Sequence, residues 1–112
     1  MKDFSALRKS GDFARVIRLG RQARNDNLRI HALAGENGGL RIGVVVTRKA
    51  GGAVVRNLIR RRILHIARNL AKEFVRPADL VIYINRNISN VVFRELEESA
   101  RGMFEYLGLI SK

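Results

Sequence analysis

The first apolar pattern along the chain has helical spacing. Phe13, Val16 and Ile17 fall on one face of residues 10–19, and Ser10 is placed to cap the first turn. The pattern predicts a short amphipathic helix that packs this face on the rest of the protein.

Two further helices are predicted in the second half of the chain. Residues 53–74 carry an apolar core stripe that consists of Ile59, Ile63, Ile66 and Leu70. A last helix is predicted to begin at a Ser89 cap. It is expected to bury seven apolar side chains, namely Val92, Phe93, Leu96, Ala100, Met103, Phe104 and Leu107.

Three segments read as β-strands. Residues 28–34 and 40–47 alternate between two faces, and the glycine-rich residues 35–39 between them predict a hairpin. Residues 80–84 are almost continuously apolar, as expected for a strand that is buried on both faces. The predicted order is α-β-β-α-β-α. We therefore expect one α+β domain over residues 1–112, a two-layer sandwich with helices packed on a small mixed sheet.

The charge balance of the chain points to a polyanionic partner. Its 22 Lys and Arg residues exceed its 10 Asp and Glu residues, which gives a formal net charge of +12. Such an excess repels itself in the free protein, and nucleic acid or an anionic membrane would neutralise it. No apolar run reaches the roughly 20 residues of a membrane span. The chain has no cysteine, which fits a reducing cytoplasm and excludes thiolate chemistry.

The predicted long helix carries an unusual run of positive charge. No acidic residue occurs between Glu36 and Glu73. A solvated helix face usually mixes signs, because oppositely charged pairs stabilise the helix. Asn57, Arg60, Arg61 and Arg68 instead share a face opposite the isoleucine stripe, with Arg56 near its edge and Arg62 on another side. This face favours nucleic-acid binding over the alternative of a plain solvated surface.

A short loop leads directly into this helix. In the run Lys49-Ala50-Gly51-Gly52, the glycines would let a phosphate approach the backbone and the N–H groups of the helix start. The alternative is that both glycines only serve the turn. No Gly-Lys-Ser/Thr sequence follows, so the loop is not a nucleotide-binding P-loop.

No catalytic or metal-binding constellation is predicted in the chain. A protein nuclease needs clustered metal ligands or an acid–base pair. His31 and His65 lie in different predicted elements. The carboxylates outside the last helix are scattered over Asp3, Asp12, Asp26, Glu36, Glu73 and Asp79. Three more, Glu95, Glu97 and Glu98, have the spacing of a solvated surface.

The loop and the helix start together resemble a family motif. The run from Lys49 to Asn57, followed by Arg60 and Arg61, resembles the K-x-G-x-A-V-x-R-N and R-x-K-R pattern of the ribonuclease P protein subunit family. The similarity extends to the first helix, the strand after residue 40 and the strand at residues 79–84. The chain departs from the family pattern at four positions, which are Ile17, Leu58, Leu64 and His65.

The resemblance implies a role beside a catalytic RNA. In that family a large RNA hydrolyses one phosphodiester of precursor tRNA with Mg²⁺, which the RNA mainly holds, and the protein assists in a 1:1 complex in the cytoplasm. The residues that would bind the catalytic RNA are Arg48, Lys49, Gly51, Gly52, Arg56, Asn57, Arg60, Arg61, Arg62 and Arg68. The residues that would line a cleft for the single-stranded 5′ leader are Phe13, Ile17, His31, Val44 and Val46.

Other functions remain open at this point. A ribosomal or other structural RNA-binding protein without a role in cleavage would show a similar charge and a similar α/β pattern. A basic membrane-surface helix is disfavoured, because its isoleucine stripe is needed for the core. Phe13 also has an alternative role as a core residue, since aromatic side chains on helices are commonly buried.

Overall fold

A five-stranded sheet carries helices on both of its faces. The computed structural model describes residues 4–35 and 38–112, so Asp3 and the predicted turn residues Glu36 and Asn37 lie outside the described residues. The strands are β1 (Ser5–Ala6), β2 (Arg21–Arg24), β3 (Arg29–Ala34), β4 (Leu40–Val46) and β5 (Ala78–Ile84). The helices are α1 (Ser10–Leu19), α2 (Ala53–Ala71) and α3 (Phe93–Tyr106), with a 3₁₀ turn at Arg48–Ala50. The predicted α+β class with a mixed sheet is confirmed, but α1 lies on the sheet face opposite α2 and α3, so the helices form two layers rather than the single layer of the predicted two-layer sandwich.

The sheet order corrects one sequence-based prediction. The strands lie in the order β1-β4-β5-β3-β2, so β3 and β4 do not form the predicted hairpin. Instead β5 inserts between them, antiparallel to β3 and parallel to β4. Gly35 and Gly39 both contact the start of β5: the Gly35 N–H donates to the carbonyl of Pro77, and the Ala78 N–H donates to the carbonyl of Gly39. The most apolar strand takes the central place because only there are both of its faces covered.

Two strands were not predicted from the sequence. β1 is only two residues long and pairs in parallel with the start of β4. β2 pairs antiparallel with β3 at the opposite edge, and only Ala23 of its four residues is buried. Both are edge strands without an alternating apolar pattern, so hydrophobic periodicity could not reveal them.

The larger core lies between the sheet and the helices α2 and α3. All four residues of the predicted α2 stripe, Ile59, Ile63, Ile66 and Leu70, are buried in it. Leu96, Ala100, Met103 and Phe104 line the inner face of α3, and Leu107 is buried just beyond its end. This core fixes α2 so that its opposite face is directed to solvent.

Several helix boundaries differ from the prediction. α1 begins at Ser10 itself, after Lys9 in the cap position, so Ser10 is not the cap. α3 follows Val92, which is 61% exposed, so neither the Ser89 cap nor the burial of Val92 is correct. The side chain of Asn87 accepts hydrogen bonds from the N–H and hydroxyl of Ser89, which closes a separate turn before the helix. α2 ends at Ala71 rather than near residue 74.

A smaller core lies beneath α1 on the other face of the sheet. Leu7, Val16 and Val81 are buried there, with Phe13 and Val45 packed at the periphery. Because α1 is only ten residues long, it covers part of this sheet face and leaves grooves beside it. Strand residues on the part of this face that α1 does not cover are therefore available to a ligand.

Candidate RNA-binding surfaces

The solvent-facing side of α2 carries the predicted positive charge. Asn57, Arg61 and Arg68 are exposed, and Arg60 is half-buried beside them. The guanidinium of Arg60 donates a hydrogen bond of 3.1 Å to the Asn57 side-chain oxygen, which orders both groups on the surface. No acidic side chain belongs to α2. The arrangement suits a row of phosphates, which guanidinium groups bind through paired N–H donors.

Two arginines of α2 lie less openly than their neighbours. Arg62 donates from Nη1 to the carbonyl oxygen of Ser89 at 2.7 Å, which fastens α2 to the loop before α3. Arg56 is half-buried, and its Nε is buried without a hydrogen-bond partner in the described part of the chain. The position of Arg62 therefore gives it a structural contact besides its predicted contact with RNA.

The two glycines of the loop before α2 differ in conformation and surroundings. Gly51 has φ +142°, a conformation that L side chains rarely adopt, and a Cβ there would press on Val55. Gly52 precedes α2 with extended backbone, and nothing lies within 4 Å of where its Cβ would be. Arg48 and Lys49 are exposed on the 3₁₀ turn before them. Gly51 thus serves the turn, and Gly52 leaves space at the helix N-terminus for an anion.

Arg41 belongs to an ion-pair network rather than to the basic surface. Its Nε and Nη2 donate to the two carboxylate oxygens of Asp79 at 2.9 and 2.7 Å. Asp79 is only 1% exposed, and Arg15 of α1 reaches the same carboxylate at 3.8 Å. Asp12 of α1 lies 3.4 Å from Arg41 and completes the network. These contacts tie α1 to β4 and β5, and the hydrogen bond to Asp79 raises the pKa of Arg41 further above its usual value.

Phe13 sits at the border of α1 and the sheet. Its ring lies over Gly43 of β4, in the space where another residue would carry its side chain. Phe13 is half-buried against the smaller core, so it combines the two roles that the sequence left open. A groove of about 450 Å³ begins at its ring.

This groove follows the free edge of β4. β1 pairs only with Arg41 and Ile42, and among the described residues no strand continues that pairing. The groove is lined by Arg8, Ser10, Phe13, Val44, Val45, Val46 and Arg60. Val44 and Val46 thus border the same groove as Phe13, although their side chains pack toward the α2 core and Val45 packs toward α1.

Ile17 and His31 lie on the α1 face but outside that groove. Ile17 is 40% exposed on α1. His31 pairs in register with Val81, whose side chain packs with Val16, so His31 points to the same face. It is only 4% exposed, and burial, followed by the charge of Arg29, lowers the pKa of His31 below its usual 6.5.

A stacking surface on the same sheet face escaped the sequence analysis. The guanidinium carbon of Arg29 lies 4.5 Å from the ring centroid of Tyr83, a cation–π arrangement. A groove of about 490 Å³ opens beside this pair and is lined by Arg24, Asn25, Asp26, Asn27, Leu28, Arg29, Tyr83 and Asn85. The alternation of side chains along the strand could have predicted part of this surface, because Arg29 and His31 are two residues apart and therefore lie on the same face.

The described residues contain neither a cluster of metal ligands nor a helix that could cross a membrane. Within residues 4–35 and 38–112, no three His, Asp or Glu side chains come together where they could hold a metal ion. Over the same residues, no helix has the length and apolarity needed to cross a membrane.

The fold and these surfaces define a small α+β protein with a basic helix and a grooved sheet suited to RNA. The family model described as Ribonuclease P matches residues 1–108. The ribonuclease P protein component of Streptococcus pneumoniae (strain Hungary19A-6) is 28% identical over 99 residues, which cover 88% of this chain and 80% of that protein. The chain belongs to the ribonuclease P protein family, whose members are subunits of an endoribonuclease with a catalytic RNA.

Solved structures share the fold. The RNase P protein of Staphylococcus aureus superposes with a TM-score of 0.82 at 20% identity, covering 95% of this chain and 97% of that one. The RNase P protein of Thermotoga maritima gives a TM-score of 0.81 at 24% identity, covering 91% and 96%. The fold agrees with the family assignment, and the family match favours the ribonuclease P subunit over the alternative of a structural RNA-binding protein.

Proposed function

We propose that the chain binds the catalytic RNA of ribonuclease P through α2 and the loop before it. The observation that carries this proposal is the solvent-facing side of α2, where Arg60, Arg61 and Arg68 lie without a carboxylate on the same helix. Arg48 and Lys49 extend this charge to the turn, and the open backbone at Gly52 offers N–H donors to a phosphate. Like charges held together in this way destabilise the free protein, and an RNA scaffold removes that cost.

The proposed site for the 5′ leader of precursor tRNA is the α1 side of the sheet. Single-stranded RNA binds through aromatic stacking surfaces and positive grooves. Phe13 at one groove and the Arg29–Tyr83 pair at the other supply both, and the leader would run between them past Ile17. His31, which is almost fully buried, would support this surface from below rather than contact a base.

In this proposal the protein assists the reaction without supplying its chemistry. Mg²⁺ would be held mainly by the RNA, as the resemblance to the family implies. The protein would act in the cytoplasm in a 1:1 complex with the RNA. It would hold the leader while the RNA hydrolyses the phosphodiester, so its contribution is positioning and charge neutralisation.

A reconstitution assay tests this function. The purified chain is added to a bacterial ribonuclease P RNA at a magnesium concentration that is too low for the RNA alone. We expect cleavage of precursor tRNA at the mature 5′ end only when both components are present. Cleavage by the protein without RNA, or no gain in cleavage from the protein, would contradict the proposal.

A further inference from the structure

An apolar groove lies within the positively charged face of α2. It has a volume of about 490 Å³ and is lined by Val54, Asn57, Arg60, Arg61 and Leu64. Val54, Asn57, Arg61 and Leu64 follow one another at helical spacing, so they form a single stripe on the outside of the helix. The groove is separate from the one that begins at Phe13, although Arg60 borders both.

Val54 is conspicuous in this groove. It is 83% exposed, more than any other exposed large hydrophobic side chain in the described residues. Phosphate binding needs only the guanidinium groups and gains nothing from a valine or a leucine. Two apolar side chains at the ends of a groove that also holds Asn57, Arg60 and Arg61 indicate a ligand that has both apolar surface and negative charge.

An unpaired nucleotide has this combination of properties. We propose that the groove receives one unpaired nucleotide of the RNA partner, which lies along the groove between Val54 and Leu64 with the neighbouring phosphates on Arg60 and Arg61. This inference rests on the proposed function and adds a base-contacting subsite to it. The volume falls within the range of about 300–1,000 Å³ that is typical of small-ligand pockets.

Asn57 supplies the polar side of the subsite. Its side-chain oxygen already accepts the hydrogen bond from Arg60, which directs the amide NH₂ group away as a donor toward a base edge. Paired helices keep their bases stacked inside, so only a looped or bulged nucleotide presents a free face to such a groove. The subsite thus selects unpaired over paired RNA without reading a long sequence.

The test separates apolar contacts from phosphate contacts by their salt dependence. Binding of a bacterial ribonuclease P RNA is measured over a series of KCl concentrations for the wild type, for V54A/L64A, and for R60Q/R61Q. We expect V54A/L64A to bind about tenfold more weakly at every salt concentration with an unchanged salt slope, since no charge is removed. R60Q/R61Q should reduce the slope. Val92→Ala, at another exposed valine, is the matched control and should bind as the wild type does.

A second measurement identifies the occupant. Wild-type protein should bind an RNA hairpin with a single-nucleotide bulge more tightly than the fully paired hairpin, and V54A/L64A should bind both equally. Equal binding of the V54A/L64A variant and the wild type to ribonuclease P RNA, or a slope changed by V54A/L64A, would overturn the subsite. So would a V54A/L64A variant that keeps the wild-type preference for the bulged hairpin. A wild type that does not bind ribonuclease P RNA would instead contradict the proposed function.

Folding of the variants is checked independently. Val54 lies in the first turn of α2 and is largely exposed, and alanine is the better helix former, so V54A is expected to keep the wild-type unfolding midpoint. Leu64 is half-buried, and the single variants separate its contribution to stability from its contribution to binding.

Discussion

The ring of Phe13 rests on the backbone of Gly43, so that the first helix and the sheet meet where β4 has no side chain. A Cβ at Gly43 would overlap the ring, and it would also lie 3.2 Å from Cβ of Leu7. The missing side chain lets the ring approach the sheet at β4, and Phe13 also borders the groove. The glycine and the aromatic residue therefore form one unit in the proposed leader site.

Gly43→Ala is expected to displace Phe13 and to destabilise the protein by about 1–3 kcal/mol, the usual cost of overpacking a filled site. Urea unfolding measures the loss of stability, and a binding titration with leader-bearing precursor tRNA measures the effect on the groove. Gly102→Ala is the matched control. Gly102 lies inside α3 with nothing within 4 Å, so alanine there should leave binding unchanged and stabilise the helix by up to about 1 kcal/mol.

Phe13→Ala should weaken the binding of precursor tRNA that carries a 5′ leader and leave mature tRNA unaffected. The reason is that the ring would stack on a leader base, a contact that contributes about 1–3 kcal/mol in comparable proteins. The affinities of both tRNAs are measured for holoenzyme that contains either protein. An equal loss for the two tRNAs would remove Phe13 from the leader site and leave it with a core role only.

The double variant R60Q/R61Q should lower the salt dependence of RNA binding. If each arginine neutralises one phosphate, the slope of log K against log [KCl] falls by about 1.4–1.8 in magnitude. The control is R76Q/K112Q, which removes two exposed charges beyond the end of α2. A control that flattened the slope as much would show that overall charge, rather than the α2 surface, determines binding.

Asp79→Asn should destabilise the fold through the contact with Arg41. The buried carboxylate accepts two hydrogen bonds from that guanidinium, and breaking a buried pair leaves a charge without its partner. Arg41 is 27% exposed, so we expect a loss of about 2–4 kcal/mol, toward the lower part of the usual range. Glu73→Gln breaks the exposed pair with Arg101 and should cost less than about 1 kcal/mol in the same urea titration.

Stability should fall in mildly acidic solution because of His31. Its pKa is lowered in the folded protein, so between that lowered pKa and the usual 6.5 the unfolded chain binds a proton that the folded protein does not. The free energy of unfolding therefore decreases as the pH falls below about 6.5 and is unaffected by this group above it. His31→Gln should remove this component from a pH series of urea unfolding curves. If His31→Gln and the wild type showed the same pH dependence of the free energy of unfolding, His31 would not be the group responsible.

The helices were predictable because their apolar faces are read directly from the sequence. Ile59, Ile63, Ile66 and Leu70 lie where the 3.6-residue period places them, and the exposed side of α2 follows by elimination. The strand of residues 80–84 was predicted to be buried on both faces, and β5 is the central strand. Each of these features depends on local pattern alone.

The neighbours of each strand were not predictable in the same way. The hairpin of β3 and β4 was inferred because the two strands are close in sequence. In the structure β5 lies between them, and the position that buries β5 depends on the whole sheet. The same limit applies to the surfaces. In the sequence Asp79 is one of several scattered carboxylates, and only the strand register places Arg41 beside it. Tyr83 likewise forms a stacking surface only because Arg29 on another strand contacts its ring.

The central position of β5 has a consequence for synthesis of the protein. Residues 78–84 form β5 and follow α2 in the chain, yet both β3 and β4 have β5 as a neighbour in the sheet and do not pair with each other. A nascent chain that has released α2 but not β5 therefore lacks the middle of its sheet, and α2 has no completed surface on which to pack its isoleucines. We therefore expect the arginines of α2 to reach their final arrangement only after about three-quarters of the chain has left the ribosome, so that assembly with RNA would follow completion of the fold.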